Sequence, residues 1–568
     1  MTTAHLDDES ELPMRRTSRL LRAAIPLGLF AVLAAACSPN DVTDPGGSDA
    51  SDGDASAELI YGNTDGGTTY VLNFNVFSPA TDKSPNSNLV YEPLVRIDHS
   101  DGGTIAPWLA ESWEFTEDGT SLTFTLRDDV TFSDGEPMTA DDVAYSLSIP
   151  LEHPELNASG ATYSAVEATG DGVVQVTFEA ASFSVLNQFA NLLIVPEHLW
   201  AEQDLTTWTN PEPVGTGGFT VEDFSPQQIT FAARDDYWGG EFQVTTVKVV
   251  PVTQDTVKSQ LLAGDVEWGT VSWANGEEEF VGVNPDTNLY QRYATGGSYA
   301  AWFNTAQAPF DDVHVRRALA MTIPRTDIVA TLNRPGTEAN PSGLQDGMYD
   351  DWLLPEFQGA VQDVDVDGAL AELAQSGYTI ENGALVKDGE SYAPTISFNT
   401  DFGWDAYADM MINSWRENLG LEVAPAGSPG AALLEQQQLG DFDITINTAG
   451  GSSVFGAFSG LSSEYVLPEG EQAAANFGRW DDAATDEVLE QMAATADEAE
   501  LRELGYEMQR IVVDDVPFSP IYASYWFINI NATSWTGWPT PEDFEYVPFP
   551  QLGPATTLTL LGLEPTGS

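Results

Sequence analysis

From Glu58 to the end of the chain, strand-like and helix-like patterns of apolar residues alternate without a low-complexity break, an internal repeat or a second linker. Short runs such as TVKVVPV, APTISFN and FDITINT are typical of buried strands, and the longer stretches between them have helical spacing. This alternation predicts an α/β fold in which helices cover the sheets. Because no linker separates the domains, we expect them to be interleaved through strands that cross from one to the other.

Individual segments make this prediction specific. In SLTFTLRDDVTFSDG (121–135), alternating apolar residues predict two short strands joined by a turn at Asp128 and Asp129. The next segment, TADDVAYSLSI, predicts a helix capped by Thr139, with Asp142 completing a capping box. Three further stretches have the apolar spacing of helices: VHVRRALAMTI from 313, GWDAYADMMINSWRENLGL from 403 and TDEVLEQMAATADEAELRELGYEMQRIVV from 485.

The first 57 residues differ from the rest of the chain. Four arginines precede the apolar run AAIPLGLFAVLAAA (23–36), which is too short to span a bilayer comfortably and predicts a cleavable export signal over residues 1–36. Cys37 is the single cysteine and follows in LAAAC, which resembles the bacterial lipoprotein box. The resemblance implies a lipidated Cys37, with residues 37–57 as a flexible polar tether that holds the protein to the outer face of the membrane.

The chain is strongly acidic, with 88 Asp and Glu against 20 Lys and Arg and a formal net charge of −68. Such a surface repels polyanions, so nucleic acid is excluded as a partner. It also suits a high-salt habitat, where screening relieves the self-repulsion, although acidic surfaces occur in other settings too.

Several blocks of the sequence occur in the order that is typical of one protein family. The strongest covers residues 89–147 and begins LVYEPLVRIDHSDGGTIAPWLAESW. Others are IVPEHLW, PVGTGGF, RDDYWGG, WFNTAQAPFDDVHVRRALAMTI and VPFSPIY. Together they resemble the family 5 solute-binding proteins, which serve ABC importers for oligopeptides, dipeptides, nickel and some oligosaccharides.

The resemblance implies a two-lobed periplasmic-binding-protein-like fold of type II. Lobe I would take residues 58–297 and 519–568, with an inserted subdomain at about 104–196, and lobe II residues 298–518. The ligand would lie between the lobes, and closure by hinge motion would present it to the permease subunits of the importer. A monomer without a cofactor is expected.

The ligand class depends on the segment FDITINTAGGSSVFGAFSG (442–460). Peptide binders of the family usually carry an Asp there for the ligand's ammonium group, whereas this segment has no carboxylate after Asp443. The chain instead resembles the subgroup that binds cellobiose and related oligosaccharides, in NFNVFSP, NFGRWDDAATDEVLEQM and the tail TSWTGWPTPEDFEYVPFP. An oligosaccharide is therefore the expected ligand, and a peptide is the alternative.

Sugar recognition needs aromatic faces, amides and hydroxyls. Where aromatic and polar residues share a loop or strand end, we expect ligand contacts from Asn75, Phe77, Trp273, Asn304, Trp404, Asn447, Tyr525 and Trp526. No metal site is expected, because the five histidines are scattered without ligand spacing. A secreted glycoside hydrolase is a remote alternative, but no GxSxG, HExxH or cysteine nucleophile is present, and the abundant carboxylates are explained by a solvated surface.

Overall fold

The computed structural model describes residues 57–64, 68–80, 83–100, 102–157, 162–332, 338–401, 403–468 and 470–567. The predicted signal peptide, the lipidation site Cys37 and all but the last residue of the predicted tether lie outside the described residues. None of the described helices is long and apolar enough to cross a membrane.

Strands and helices alternate along the described chain, as the apolar patterns predict. The strands are β1 (Glu58–Asn63), β2 (Val95–Asp98), β3 (Thr104–Pro107), β4 (Ala110–Phe115), β5 (Ser121–Leu126), β6 (Ala165–Gly170), β7 (Val173–Thr177), β8 (Phe219–Ser225), β9 (Gln228–Ala233), β10 (Thr246–Pro251), β11 (Trp268–Gly269), β12 (Asn288–Phe303), β13 (Thr379–Glu381), β14 (Ala384–Lys387), β15 (Glu390–Tyr392), β16 (Thr395–Asn399), β17 (Ala424–Ser428), β18 (Ile444–Gly450), β19 (Phe518–Asn531), β20 (Trp535–Thr536) and β21 (Glu564–Pro565). The helices are α1 (Ala140–Glu152), α2 (Leu186–Phe189), α3 (Glu197–Trp200), α4 (Gln254–Ala263), α5 (Gly276–Glu279), α6 (Val313–Ala320), α7 (Arg325–Leu332), α8 (Val366–Ser376), α9 (Asp405–Leu419), α10 (Gly430–Leu439), α11 (Val454–Phe458), α12 (Ala483–Ala494), α13 (Glu498–Asp515) and α14 (Pro554–Gly562). The fold class is α/β, as expected.

One ten-stranded sheet joins the two halves of the protein. Its order is β17-β16-β18-β12-β19-β11-β1-β10-β9-β8, so the two longest strands, β12 and β19, lie in the middle. They pair with each other in antiparallel register over most of their length. On one side β19 pairs with β11, and on the other side β12 pairs with β18. These are the crossing strands of the two-lobed type II fold.

The buried apolar side chains form separate clusters on the two sides of the crossing strands. Two clusters draw their buried members from residues 300–522, and the other three draw theirs from residues 59–293 and 528–563. Each lobe therefore has its own hydrophobic core, and the crossing strands contribute to both. Ile521 and Tyr522 pack in the core of lobe II. The chain therefore leaves this core a few residues after the proposed boundary between residues 518 and 519.

The inserted subdomain contains a four-stranded sheet, β4-β5-β7-β6, within the proposed range 104–196. Glu92, which is 1% exposed, anchors its start. The Nε1 groups of Trp108 and Trp238 and the hydroxyl of Tyr237 donate hydrogen bonds to the Glu92 carboxyl at 2.9, 3.1 and 2.7 Å. Burial raises the pKa of this carboxyl, and the three donors oppose that shift by stabilising its ionised form.

The local predictions hold with two exceptions. β5 and the Thr139–Asp142 capping box are confirmed. The predicted second strand at Val130 is wrong, because the Phe132 N–H bonds to the Glu136 carbonyl and folds the segment into a turn. The helical stretch from 485 is interrupted, since α12 ends at Ala494 and α13 begins at Glu498.

Candidate functional site

The crossing strands contain a bulge. Their register passes from Ala294 opposite Tyr525 to Ser298 opposite Ala523, so three residues of β12 lie across from one residue of β19, Ser524. A bulge interrupts the ladder and bends the strand that carries the extra residues. The bend lies between the two hydrophobic cores, where a hinge between lobes must lie.

Gln345 connects the two sides of this bulge. It is 3% exposed; its Oε1 accepts the Gly296 N–H at 2.8 Å, and its Nε2 donates to the Ser524 carbonyl at 2.8 Å. Gly296 has φ +81°, and a β-carbon there would come within 2.2 Å of the Gly451 carbonyl oxygen. A glycine is therefore required, and one buried amide fixes the bulge from lobe II.

The inserted subdomain touches lobe II at a second place, away from the crossing strands. Asn187 Nδ2 donates a hydrogen bond to Ser453 Oγ at 2.8 Å. Ser453 is also the N-cap of α11, since its Oγ accepts the Gly456 N–H at 3.0 Å. Nearby, a β-carbon on Gly103 (φ +81°) would lie 1.3 Å from the Ser452 carbonyl oxygen. The inserted subdomain and lobe II are thus in direct contact.

Two cavities adjoin this contact, and Asn187 lines both. The larger, of about 670 Å³, lies between the β2–β3 turn and the subdomain on one side and Met348, Trp352, Phe455 and Arg502 on the other. The second, of about 480 Å³, is lined by residues of both lobes, including Thr162, Gln188, Ser463 and Asp486. Their volumes are in the range of small-molecule sites.

A third pocket, of about 210 Å³, lies within lobe I close to the crossing strands. Its lining includes Arg96, His99, Asn191 and Gln551. The imidazole of His99 packs edge-on against Trp526 of β19, with ring centroids 5.1 Å apart. Burial lowers the pKa of His99 to about 4, so this wall carries a neutral imidazole at physiological pH.

Four of the predicted ligand contacts are half-buried: Phe77, Asn447, Tyr525 and Trp526. Successive side chains of a strand point to opposite faces, so Tyr525 and Trp526 cannot both line the same side of β19. Their contacts agree: Trp526 packs on His99, whereas Tyr525 lies near Phe527 and under the guanidinium of Arg292. Phe77 packs edge-on against Trp200 inside lobe I.

Asn447 is the central residue of β18 and lies opposite Ala300 of β12. Its Nδ2 donates to Gln437 Oε1 at 3.2 Å, and its Oδ1 accepts the Thr448 N–H at 2.8 Å. Of the eight predicted residues, Tyr525 and Trp526 lie on the crossing strand β19, and Asn447 lies on the neighbouring strand β18.

The other four predicted contacts are buried in the scaffold. Asn75 is 0% exposed, and its amide donates to the carbonyls of residues 205 and 208. Asn304 is 1% exposed and donates to the carbonyls of residues 440 and 442. In each asparagine both amide hydrogens are donated to backbone carbonyls, so the side chain holds neighbouring loops in place.

The two tryptophans of this group are core residues. Trp273 is 4% exposed, stacks on Phe280 and donates its Nε1–H to Glu279 at 2.8 Å. Trp404 is 8% exposed and packs edge-on against Tyr299 in the core of lobe II. In this conformation all four side chains are buried against protein, so a ligand contact from any of them stays a prediction.

Sequence reasoning missed the residues that join the lobes: Asn187, Gln345, Trp352 and Ser453. Gly450 and Gly451, just before Ser453, were the available signal, since paired glycines permit close approach of two backbones. No pattern marks Gln345, which lies in an irregular segment. Among the described residues, no group of three or more His, Cys, Asp or Glu side chains is placed to hold a metal ion.

Comparisons with known proteins agree with this architecture. The chain is 25% identical to the nickel-binding periplasmic protein of Escherichia coli over 469 residues, 76% of this chain and 83% of that protein. It is 24% identical to the oligopeptide-binding protein AppA of Bacillus subtilis, over 90% and 94% of the two chains.

Among solved structures, a periplasmic oligopeptide-binding protein of Thermotoga maritima superposes with a TM-score of 0.80 at 22% identity, covering 90% of this chain and all of that one. The same protein with bound mannohexaose gives a TM-score of 0.75, with 90% and 99% covered. Residues 104–463, well over half of the chain, match the family described as bacterial extracellular solute-binding proteins, family 5. The chain therefore belongs to the family 5 extracellular solute-binding proteins.

Proposed function

We propose that this protein is the lipid-anchored binding component of an ABC importer and that it captures an oligosaccharide between its two lobes without altering it. The ligand lies beside the crossing strands, between strand β18 of lobe II and the side of lobe I against which Trp526 packs. Closure brings the inserted subdomain onto α11, and the permease subunits receive the closed form.

The observation that carries the choice of ligand is that the lobe II segment 442–463 has no available carboxylate. Asp443 is the single acidic residue from 442 to 463, and its Oδ2 accepts the N–H and the hydroxyl of Thr395, both at 2.8 Å. A buried ammonium group without a counter-charge is unfavourable by several kcal/mol. The free amine of a peptide would find no partner there, whereas an uncharged sugar needs none.

The lobe I pocket that contains His99, next to Trp526, has groups that suit the same ligand class. Trp526 offers aromatic surface, and Asn191, Gln551 and a neutral His99 add groups that hydrogen-bond to hydroxyls. The Thermotoga maritima protein with bound mannohexaose shows that this fold accommodates a hexasaccharide.

A peptide remains the second candidate, because relatives such as AppA are named for oligopeptides. One observation favours it: the carboxylates of Asp350 and Asp351 line the larger cavity between the lobes. In a peptide complex the ammonium group would lie at that end, away from β18.

The ligand class is tested by a melting-temperature screen of the purified protein against β-linked and α-linked oligosaccharides and a panel of di- to nonapeptides. A ligand present at a hundred times its Kd stabilises the folded state by about 2.7 kcal/mol. We expect stabilisation by an oligosaccharide that chromatography recovers unchanged. Stabilisation by peptides alone would contradict the proposal, and recovered cleavage products would favour a glycoside hydrolase.

Membrane attachment is tested separately. Two or more acyl chains are needed for stable anchoring, and Cys37 is the single thiol that can carry a thioether-linked lipid. Cells that express the full chain should incorporate a labelled fatty acid into the wild-type protein and not into Cys37→Ser. Equal labelling of the two proteins would exclude Cys37 as the lipidation site.

A further inference from the structure

We propose that the cavity of about 670 Å³ between the inserted subdomain and lobe II is a second sugar-binding subsite, with Trp352 as its stacking platform. The inference rests on the proposed function and extends it, because it assigns a separate place to the distal end of a long oligosaccharide. The subsite lies outside the hinge region, and Trp352 is not among the residues that the sequence predicts.

The first argument is the aromatic surface. Trp352 is half-buried and lines the cavity, together with Phe183 and Phe455. The guanidinium of Arg502 lies 5.2 Å from the centroid of the indole ring, and Glu498 holds Arg502 by an ion pair of 2.7 Å. Arg502 therefore packs over one face of the indole as a cation–π neighbour and restrains its orientation.

The second argument is a pair of buried polar atoms at the edge of this cavity. Arg502 Nε, a donor, and Asn187 Oδ1, an acceptor, are buried and form no hydrogen bond with any described residue. Buried polar atoms are nearly always paired in folded proteins, so an unpaired one points to a water or a ligand. A sugar hydroxyl both donates and accepts, so hydroxyls of one ligand can pair with both atoms when the two side chains turn towards the cavity that they line.

The third argument is continuity with the hinge region. Ser100 lines the cavity and directly follows His99, whose ring packs on Trp526. On the other side, Met348 lines the cavity and also adjoins the bulge, since a β-carbon on Gly296 would lie 3.0 Å from its sulfur. The cavity therefore adjoins both the segment that carries His99 and the bulge of the crossing strands.

The charges near the platform favour a neutral ligand over an anionic one. The charge of Arg502 is compensated by Glu498, and Asp350 and Asp351 also line the cavity. Acidic sugars would be repelled by these carboxylates at close range. Because the proposed ligand is an oligosaccharide, the predicted occupant is an uncharged pyranose unit.

The test compares oligosaccharides of increasing length, from disaccharide to hexasaccharide, on the wild-type protein, Trp352→Leu and Trp113→Leu. Leucine keeps apolar volume and removes the aromatic face, and Trp113 is a half-buried tryptophan of β4 that does not line this cavity. Calorimetric titration should show that Trp352→Leu weakens binding of the longest oligosaccharides about tenfold, the value of a lost aromatic contact, and leaves disaccharide binding unchanged. Trp113→Leu should leave all affinities unchanged.

Arg502→Lys provides a second readout, because it keeps the positive charge and removes the Nε donor. We expect it to weaken binding of the long oligosaccharides severalfold, as for the loss of one hydrogen bond, again without an effect on the disaccharide. Equal losses at every length, or no loss in a folded Trp352→Leu protein, would overturn the subsite and leave the proposed function intact. A wild-type protein that binds no saccharide of any length would overturn both.

Discussion

Asn187 of the inserted subdomain donates a hydrogen bond of 2.8 Å to Ser453, the N-cap of α11 in lobe II, across 266 residues of sequence. This bond lies outside the crossing strands, so it must break when the lobes separate by rotation about the bulge. It marks the closed state, and the polar groups that it joins return to water in the open state.

The first prediction concerns this bond. In Asn187→Ala the closed state loses one hydrogen bond, which contributes about 1 kcal/mol, so the Kd for ligand should rise about fivefold, mainly through faster dissociation. Asn284→Ala is the matched control, because its side chain bonds to Thr287 within lobe I. Stopped-flow dissociation rates that are identical in the two variants would show that the bond plays no part in closure.

The second prediction concerns the bulge. Gln345→Ala removes two buried hydrogen bonds and leaves the Ser524 carbonyl and the Gly296 N–H without their amide partner. We expect a loss of about 2 kcal/mol in the free energy of unfolding and a wider range of interlobe angles in the unliganded protein, seen by small-angle X-ray scattering. Gln509→Ala is the control, since this buried glutamine bonds only within lobe II. The same broadening in both variants would refute a hinge role for Gln345.

The third prediction is a pH dependence from His99. Its pKa is lowered to about 4 by burial, with a smaller lowering effect of Arg96 and an opposing effect of Asp98, whereas the unfolded chain takes up the proton near 6.5. The unfolded state therefore binds more protons as the pH falls from 6.5 towards 4, and stability should fall by up to about 3 kcal/mol across this range. Denaturant titrations at several pH values should show a shallower decline for His99→Gln; parallel curves would contradict a buried neutral His99.

The fourth prediction separates a core tryptophan from a cleft tryptophan. Trp404→Ala opens a cavity in the lobe II core and should reduce the free energy of unfolding by about 3 to 5 kcal/mol. Trp526→Ala, at a half-buried position beside His99, should reduce stability less and weaken sugar binding about tenfold. Comparison of melting temperature with affinity distinguishes the two, and the reverse pattern would return Trp404 to the site.

The sequence was a good guide to the scaffold, because local periodicity determines it. The strand around Phe124, the capping box at Thr139 and the helix over Asp405–Leu419 follow from spacing and cap chemistry that the surrounding protein does not alter. The family resemblance supplied the two lobes, which periodicity alone does not reveal.

The site was predicted less well, because residue type does not report burial. Asn75 and Asn304 look like ligand-binding amides in the sequence, yet backbone carbonyls of distant loops occupy them. Asn187 and Ser453 acquire their role only when segments far apart in the chain meet. Contacts of this kind arise from the long-range packing of the two lobes, and no local pattern predicts them.

The central claim is that the two lobes close on an uncharged oligosaccharide. The most direct measurement is the radius of gyration of the purified protein by small-angle X-ray scattering, alone and with saturating oligosaccharides or peptides. The account predicts contraction with an oligosaccharide and an unchanged radius with peptides. Contraction with peptides alone, or an unchanged radius with a saccharide shown to bind, would contradict it.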